Sequence, residues 1–227
     1  MLALAGAAAV AVLVITLVGP RGDGATTPPS TPQASSPGDS GLASLADRRD
    51  GDPLALGPVD APVVMIEWSD YRCPFCATFA KNAFPELREE YVDTGQVRFE
   101  FRDLALFGDQ SVDAAVAARA AGEQGRYFEF AEALFAAAPE KGHPDMPRAD
   151  LLRFAEAAGV PDLARFERDL DDGGLRARVE ADTTKAQQLG ASGTPFFLVG
   201  GTPLSGAHPV EVFRQVIEGE LAKAAAG

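Results

Sequence analysis

The sequence predicts an α/β protein: one sheet built from a βαβ unit and a β-turn-β-α unit, with a helical insertion between them over about 109–190. Three observations predict it. An apolar, β-branched run stands directly ahead of a helical pattern and a second strand. Ala- and Phe-rich helical stretches fill the middle of the chain. A short apolar run, a Gly-Gly turn and a closing helix end it. With 46% hydrophobic residues in 227, the chain carries enough apolar surface for a packed core.

Taken in order, Val63-Val64-Met65-Ile66-Glu67-Trp68 has the composition of a strand buried on both faces. Pro74 suits the first turn of a helix, and Phe75 to Tyr91 reads as that helix, with Phe79, Phe84 and Leu87 among its apolar positions. Val97-Arg98-Phe99-Glu100-Phe101 alternates as a second strand does. A strand, a helix and a strand in this order predict parallel pairing. Helices are then expected at Ser111–Gly122, around Tyr127–Phe135, around Leu151–Ala155, at Leu163–Leu170 and at Leu175–Leu189. Gly159-Val160-Pro161 and Gly173-Gly174 mark helix ends. Phe196–Val199 is a strand, Gly200-Gly201 a tight turn, and Val210–Ala222 the last helix.

Composition bounds the function. Thirty-three acidic residues against 20 basic ones give a formal net charge of −13, which argues against a nucleic-acid partner, since phosphate binding rests on Lys and Arg. The two cysteines, Cys73 and Cys76, are too few for a disulfide-stapled scaffold.

Three segments are expected. Residues 1–20 are apolar, with no charge from Leu2 to Val18; 17 helical residues reach about 25 Å, at the short end for a bilayer span. This is read as a membrane anchor that places the rest of the chain on the extracytoplasmic side, or as a signal segment that is cleaved. Residues 21–52 read as a flexible linker: between Gly19 and Gly41, 17 of 23 residues are Gly, Pro, Ser or Thr. Residues 53–227 form the folded domain.

The chemistry is carried by Cys73-Pro74-Phe75-Cys76 at the junction of the buried strand and its helix. Free backbone N–H groups at a helix start favour a thiolate at the first cysteine, and the thiolate is the species that attacks a disulfide sulfur. Cys76, three residues on, lies on the same face and can resolve a mixed disulfide. A disulfide closing so small a loop would constrain the unfolded chain little. A zinc site would need two further ligands, and His143 and His208 lie 67 and 132 residues beyond Cys76, so no metal is expected. Glu67, an acid on an otherwise apolar strand, is either buried with a raised pKa or solvated at a strand edge. His143 and His208 read as loop and surface residues, and Glu86–Glu90 and Asp169–Asp172 as solvated faces.

The segment Glu67–Cys76 resembles the active-site stretch of DsbA-like thioredoxin-fold thiol–disulfide oxidoreductases, and Gly193-Thr194-Pro195-Phe196-Phe197 resembles that family's cis-proline loop. The resemblance runs from about Leu54 to Lys223. It implies the thioredoxin-like fold and no cofactor beyond a redox-active Cys73–Cys76 disulfide. It implies Cys73 as the exposed nucleophile, Cys76 as its buried partner, Glu67 as a proton relay, and a cis Pro195 facing the cysteines beside Thr194. Phe75 departs from the strongly oxidising relatives, which carry His between the cysteines, so a milder oxidant is expected. The implied activity is oxidation of cysteine pairs in exported proteins, with a membrane redox partner that recycles the pair. A reductase or isomerase of the same fold, or a non-catalytic binding module, are the alternatives.

Overall fold

Residues 44–226 are described by the computed structural model; the apolar segment 1–20 and most of the linker expected at 21–52 lie outside them. The central strand is β2 (Val63–Ser69), buried along its whole length. On one side it pairs in parallel with β3 (Val97–Asp103), on the other antiparallel with β4 (Phe196–Val199). The edges are β1 (Ala55–Leu56), antiparallel to β3, and β5 (Thr202–Ser205), antiparallel to β4 through the Gly200-Gly201 turn. The sheet order is β1-β3-β2-β4-β5, so the expected parallel βαβ unit and terminal hairpin are both present.

Alternate residues of β2 face two cores. Val63 and Met65 join the large cluster that includes Phe79, Phe130 and Phe213. Val64, Ile66 and Trp68 pack on the other face with Leu104, Ala186 and Leu198. This two-sided cover explains the nearly unbroken apolar run of the strand.

The helix expected from Phe75 to Tyr91 is divided. It runs as α1 (Pro74–Asn82), turns at Ala83, and continues as α2 (Phe84–Leu87) and a wide turn at Arg88–Val92. Pro85 is the physical reason: it has no N–H to continue the ladder, and its ring crowds the preceding turn. The insertion comprises α3 (Asp109–Gly122), α4 (Tyr127–Ala137), α5 (Arg148–Ala157), α6 (Leu163–Asp169) and α7 (Gly173–Gln188); α8 (Val210–Ala226) closes the domain. Gly159 does follow a helix end, at a φ of 70°. Gly173-Gly174, in contrast, opens α7, because the Asp172 side chain accepts hydrogen bonds from the Gly174 and Leu175 N–H groups and caps the start.

Two polar stretches are tied into the fold by ion pairs. Arg98 and Glu100 on β3 are buried: Glu100 accepts from Arg98 Nε at 2.9 Å, Arg102 Nη2 at 2.7 Å and the backbone N–H groups of Asp47 and Arg48 at 2.9 Å each. The last residues of the expected linker are thereby held on the domain, where Leu45 and Ala46 pack on the smaller core. Glu86 and Glu90 are exposed as expected, yet both pair with Arg214 at 2.6 Å.

Candidate active site

Cys73 is the N-cap of α1, with extended backbone (φ −82°, ψ 121°), and Pro74 occupies the first helical turn. The strand β2 ends at Ser69, and a turn closed by the Cys73 N–H donating to the Asp70 carbonyl at 3.0 Å delivers the sulfur to the helix start. Asp70 builds that turn. Its buried carboxylate accepts from the Arg72 N–H at 2.8 Å, Leu106 N–H at 2.7 Å, Phe107 N–H at 3.4 Å and Ser111 hydroxyl at 2.9 Å. Burial raises its pKa and these four donors oppose the rise. The site therefore rests on one acid that ties the β2–α1 turn to the β3–α3 loop. Sequence reasoning missed Asp70; an acid two residues before an N–H-rich turn is the signal that could have found it.

From the other side comes the loop ahead of β4. The Thr194-Pro195 bond is cis, as the resemblance implied, and the Cys73 thiol donates to the Thr194 carbonyl at 3.4 Å. Glu67, Cys73, Cys76, Thr194 and Pro195 thus belong to one neighbourhood. Phe75 is directed outward and is 62% exposed.

The two sulfurs are free thiols with opposite acid strengths. Cys73 is lowered to about 6, first by a hydrogen bond from the Cys76 thiol, against the opposing effect of burial. The backbone N–H groups of Cys76 and Phe75 lower it further. Cys76, fully enclosed, is pushed well up by burial and by holding the proton it shares with Cys73. The expectation that Cys73 is the exposed member needs correction in this conformation: the residue is 2% exposed, because its sulfur is tucked against the Thr194 carbonyl.

Glu67 lies at the centre of the sheet, opposite Phe101 on β3 and Phe197 on β4. It is buried, not solvated at an edge, and burial raises its pKa to about 8, with Ser69 opposing and the charge at Cys73 adding to the rise. Its charge in turn raises Cys76. Among the described residues, its Oε1 has no hydrogen-bond partner.

Arg72, the residue ahead of the nucleophile, donates to the carbonyls of Pro144 at 2.7 Å and Phe107. His143 donates from Nδ1 to the Arg72 carbonyl at 2.9 Å and stacks on Phe107 with ring centroids 3.9 Å apart. His143 is a loop residue as expected, but the loop is docked on the active-site turn, which its sequence context did not reveal. His208 packs near Phe213, at 6.3 Å between centroids. Among the described residues, no group of three or more His, Cys, Asp or Glu side chains is arranged to hold a metal ion, and no helix is long and apolar enough to cross a membrane.

A mixed sheet of this order, an acidic thiol at the start of the first helix and a cis-proline loop against it define a DsbA-like, thioredoxin-fold thiol–disulfide oxidoreductase. The family model described as Thioredoxin matches residues 49–219, and the chain belongs to that family. It is 30% identical to the probable disulfide bond formation protein D of Bacillus cereus over 174 residues, covering 74% of this chain and 79% of that protein. It is 37% identical to Na(+)/H(+) antiporter NhaA 3 of Salinispora tropica over 171 residues, a match to 74% of this chain but 24% of the antiporter; the chain spans about a quarter of that relative. Among solved structures it is similar to oxidised BdbD from Bacillus subtilis (TM-score 0.70, 27% identity, 76% of this chain and 94% of that one). Wolbachia pipientis α-DsbA1 is similar too (TM-score 0.71, 25% identity, 82% and 98%).

Proposed function

We propose that the protein oxidises cysteine pairs in exported proteins through Cys73 and Cys76. The domain is carried on the extracytoplasmic side of the membrane by residues 1–20. The observation that supports this most is the pairing of an acidic Cys73 at the helix start with a strongly basic, enclosed Cys76.

In the oxidised enzyme a substrate thiolate attacks Cys73 Sγ. The Cys73–Cys76 bond breaks, Cys76 departs as thiolate, and a mixed disulfide joins Cys73 to the substrate. The high pKa of Cys76 means that it takes up a proton, which Glu67, itself protonated up to about pH 8, supplies. A second substrate thiolate then attacks the substrate sulfur of the mixed disulfide, forming the substrate disulfide and releasing Cys73 as thiolate. Two electrons now reside on the reduced pair. Cys73 is a good leaving group because its thiolate is stabilised by the Cys76 thiol and the helix N–H groups. The Thr194 backbone, presented by the cis bond beside Cys73, gives an extended substrate segment a place to pair as an added strand. A membrane redox partner accepts the two electrons and restores the disulfide.

The test is refolding of a reduced, cysteine-containing protein. Oxidised enzyme should accelerate formation of its disulfides and Cys73→Ala should not; equal behaviour of the two would overturn the proposal. Phe75 in place of a cationic residue favours a milder potential, and the reverse, reducing direction is the second reading. Equilibration with glutathione separates them: known pairs of this fold span about −270 to −120 mV, and a value at the lower end assigns reduction.

A further inference from the structure

Behind the active site, a cavity of about 380 Å³ opens between α1, α2 and α4 and reaches the sheet at Glu67. Six rings line it: Phe79, Phe84, Phe99, Phe101, Phe128 and Phe135. The volume falls within the range of small-molecule sites and well exceeds a void that takes up benzene. The wall also holds a buried polar atom, Glu67 Oε1. Glu67 is 3% exposed, and among the described residues its Oε1 has no hydrogen-bond partner, although buried carboxyl oxygens are almost always partnered.

We propose that this cavity is a binding site for a small, uncharged aromatic molecule bearing one oxygen that hydrogen-bonds to the Glu67 carboxyl. The class follows from the wall. Ring-lined walls favour an aromatic guest through edge and offset contacts beyond area alone. A cation or anion would have to be desolvated among phenylalanines, and the mouth carries charges of both signs, including Lys81 and Glu132, so it selects neither. Glu67, held protonated at neutral pH, presents a donor and an acceptor to a neutral hydroxyl. The site is separate from the groove where a protein substrate meets Cys73, and its occupation does not depend on the direction of thiol exchange.

The probes are phenol and toluene, titrated into the full chain by calorimetry and followed by ¹H NMR. Phenol should bind saturably at one site. The preference for phenol over toluene should fall by roughly tenfold in Glu67→Leu, because only the oxygen contact is removed. Ala131→Phe, which fills the cavity, should abolish binding of both. Should that variant fold poorly, Ala136→Trp tests the same point from the exposed rim, where Ala136 lines the mouth without supporting the core. Phenol binding that never saturates, an unchanged phenol preference in Glu67→Leu, or undiminished binding in Ala136→Trp would each overturn the assignment. None of these readouts involves disulfide exchange, so they stand or fall apart from the proposed oxidase activity.

Discussion

The sulfur of Cys73 lies 3.4 Å from the carbonyl oxygen of Thr194, a residue 121 positions away. The contact joins the two halves of the domain at the reacting atom. It also defines what the thiolate needs, because a carbonyl can receive a proton from the thiol but offers nothing to the ionised sulfur. The donors are the Cys76 thiol and the Phe75 and Cys76 N–H groups.

Cys73 should therefore titrate near pH 6, read from thiolate absorbance or from the pH dependence of alkylation. The Cys76 thiol is its leading stabiliser, so Cys76→Ala should move the midpoint up by about one pH unit or more. The same depression links to stability. The folded value lies below the unfolded one, so the thiolate's contribution is fully present above the ordinary thiol range and is lost as pH falls through about 6. Denaturant unfolding of the reduced protein should show this loss, and Cys73→Ala should remove it.

Glu67 gives the opposite sign. Its folded value, about 8, lies above the ordinary 4.5. Stability linked to it is complete below pH 4.5 and is lost as pH rises towards 8. Glu67→Gln should therefore stabilise the protein, by little at pH 5 and by several kcal/mol at pH 8, since each pH unit between the two values is worth about 1.4 kcal/mol. Urea unfolding of both proteins at the two pH values checks it. A constant difference would mean that the carboxyl titrates normally.

How far the sequence discloses this site depends on whether a signal is local. The cysteine pair, the proline beside it and the apolar strand before it are contiguous, and they sit where the local pattern puts them. The cis bond at Thr194-Pro195 was legible through the resemblance of its loop. The burial of Arg98 and Glu100 was not, because an alternating charged strand reads the same whether solvent or another segment covers it. Here the cover is the backbone of Asp47 and Arg48. Asp70 and His143 were missed for a related reason: their partners, at Leu106, Ser111 and Arg72, lie 36, 41 and 71 residues away. Likewise, Gly173-Gly174 has the composition of a helix stop, and only the Asp172 carboxylate, capping the N–H groups of α7, makes it a start.

Asp70→Ala should destabilise the protein by about 2–4 kcal/mol, since it leaves the Leu106 and Phe107 N–H groups and the Ser111 hydroxyl short of their acceptor. It should also loosen the turn that seats Cys73, and the thiolate midpoint should rise with it. Asp70→Asn, which keeps one acceptor oxygen, should fall between. If Asp70→Ala unfolds at the wild-type urea concentration, the carboxylate does not hold this turn.

Phe75→His tests which part of the motif sets the redox poise. Phe75 is 62% exposed, so replacing it removes little packing, and a change can be assigned to charge near the sulfur. An imidazolium at this place in the helix start adds a positive charge to a site whose present stabilisation comes from the Cys76 thiol and backbone N–H groups. The Cys73 midpoint should drop by about one pH unit. A more stable thiolate stabilises the reduced pair, so at pH 7 the equilibrium with glutathione should move roughly tenfold towards a stronger oxidant, about 30 mV. The two readouts must move together if the thiolate governs the potential. A lowered midpoint with an unchanged potential would place the control in the oxidised form instead, and an unchanged midpoint would show that position 75 does not reach the sulfur.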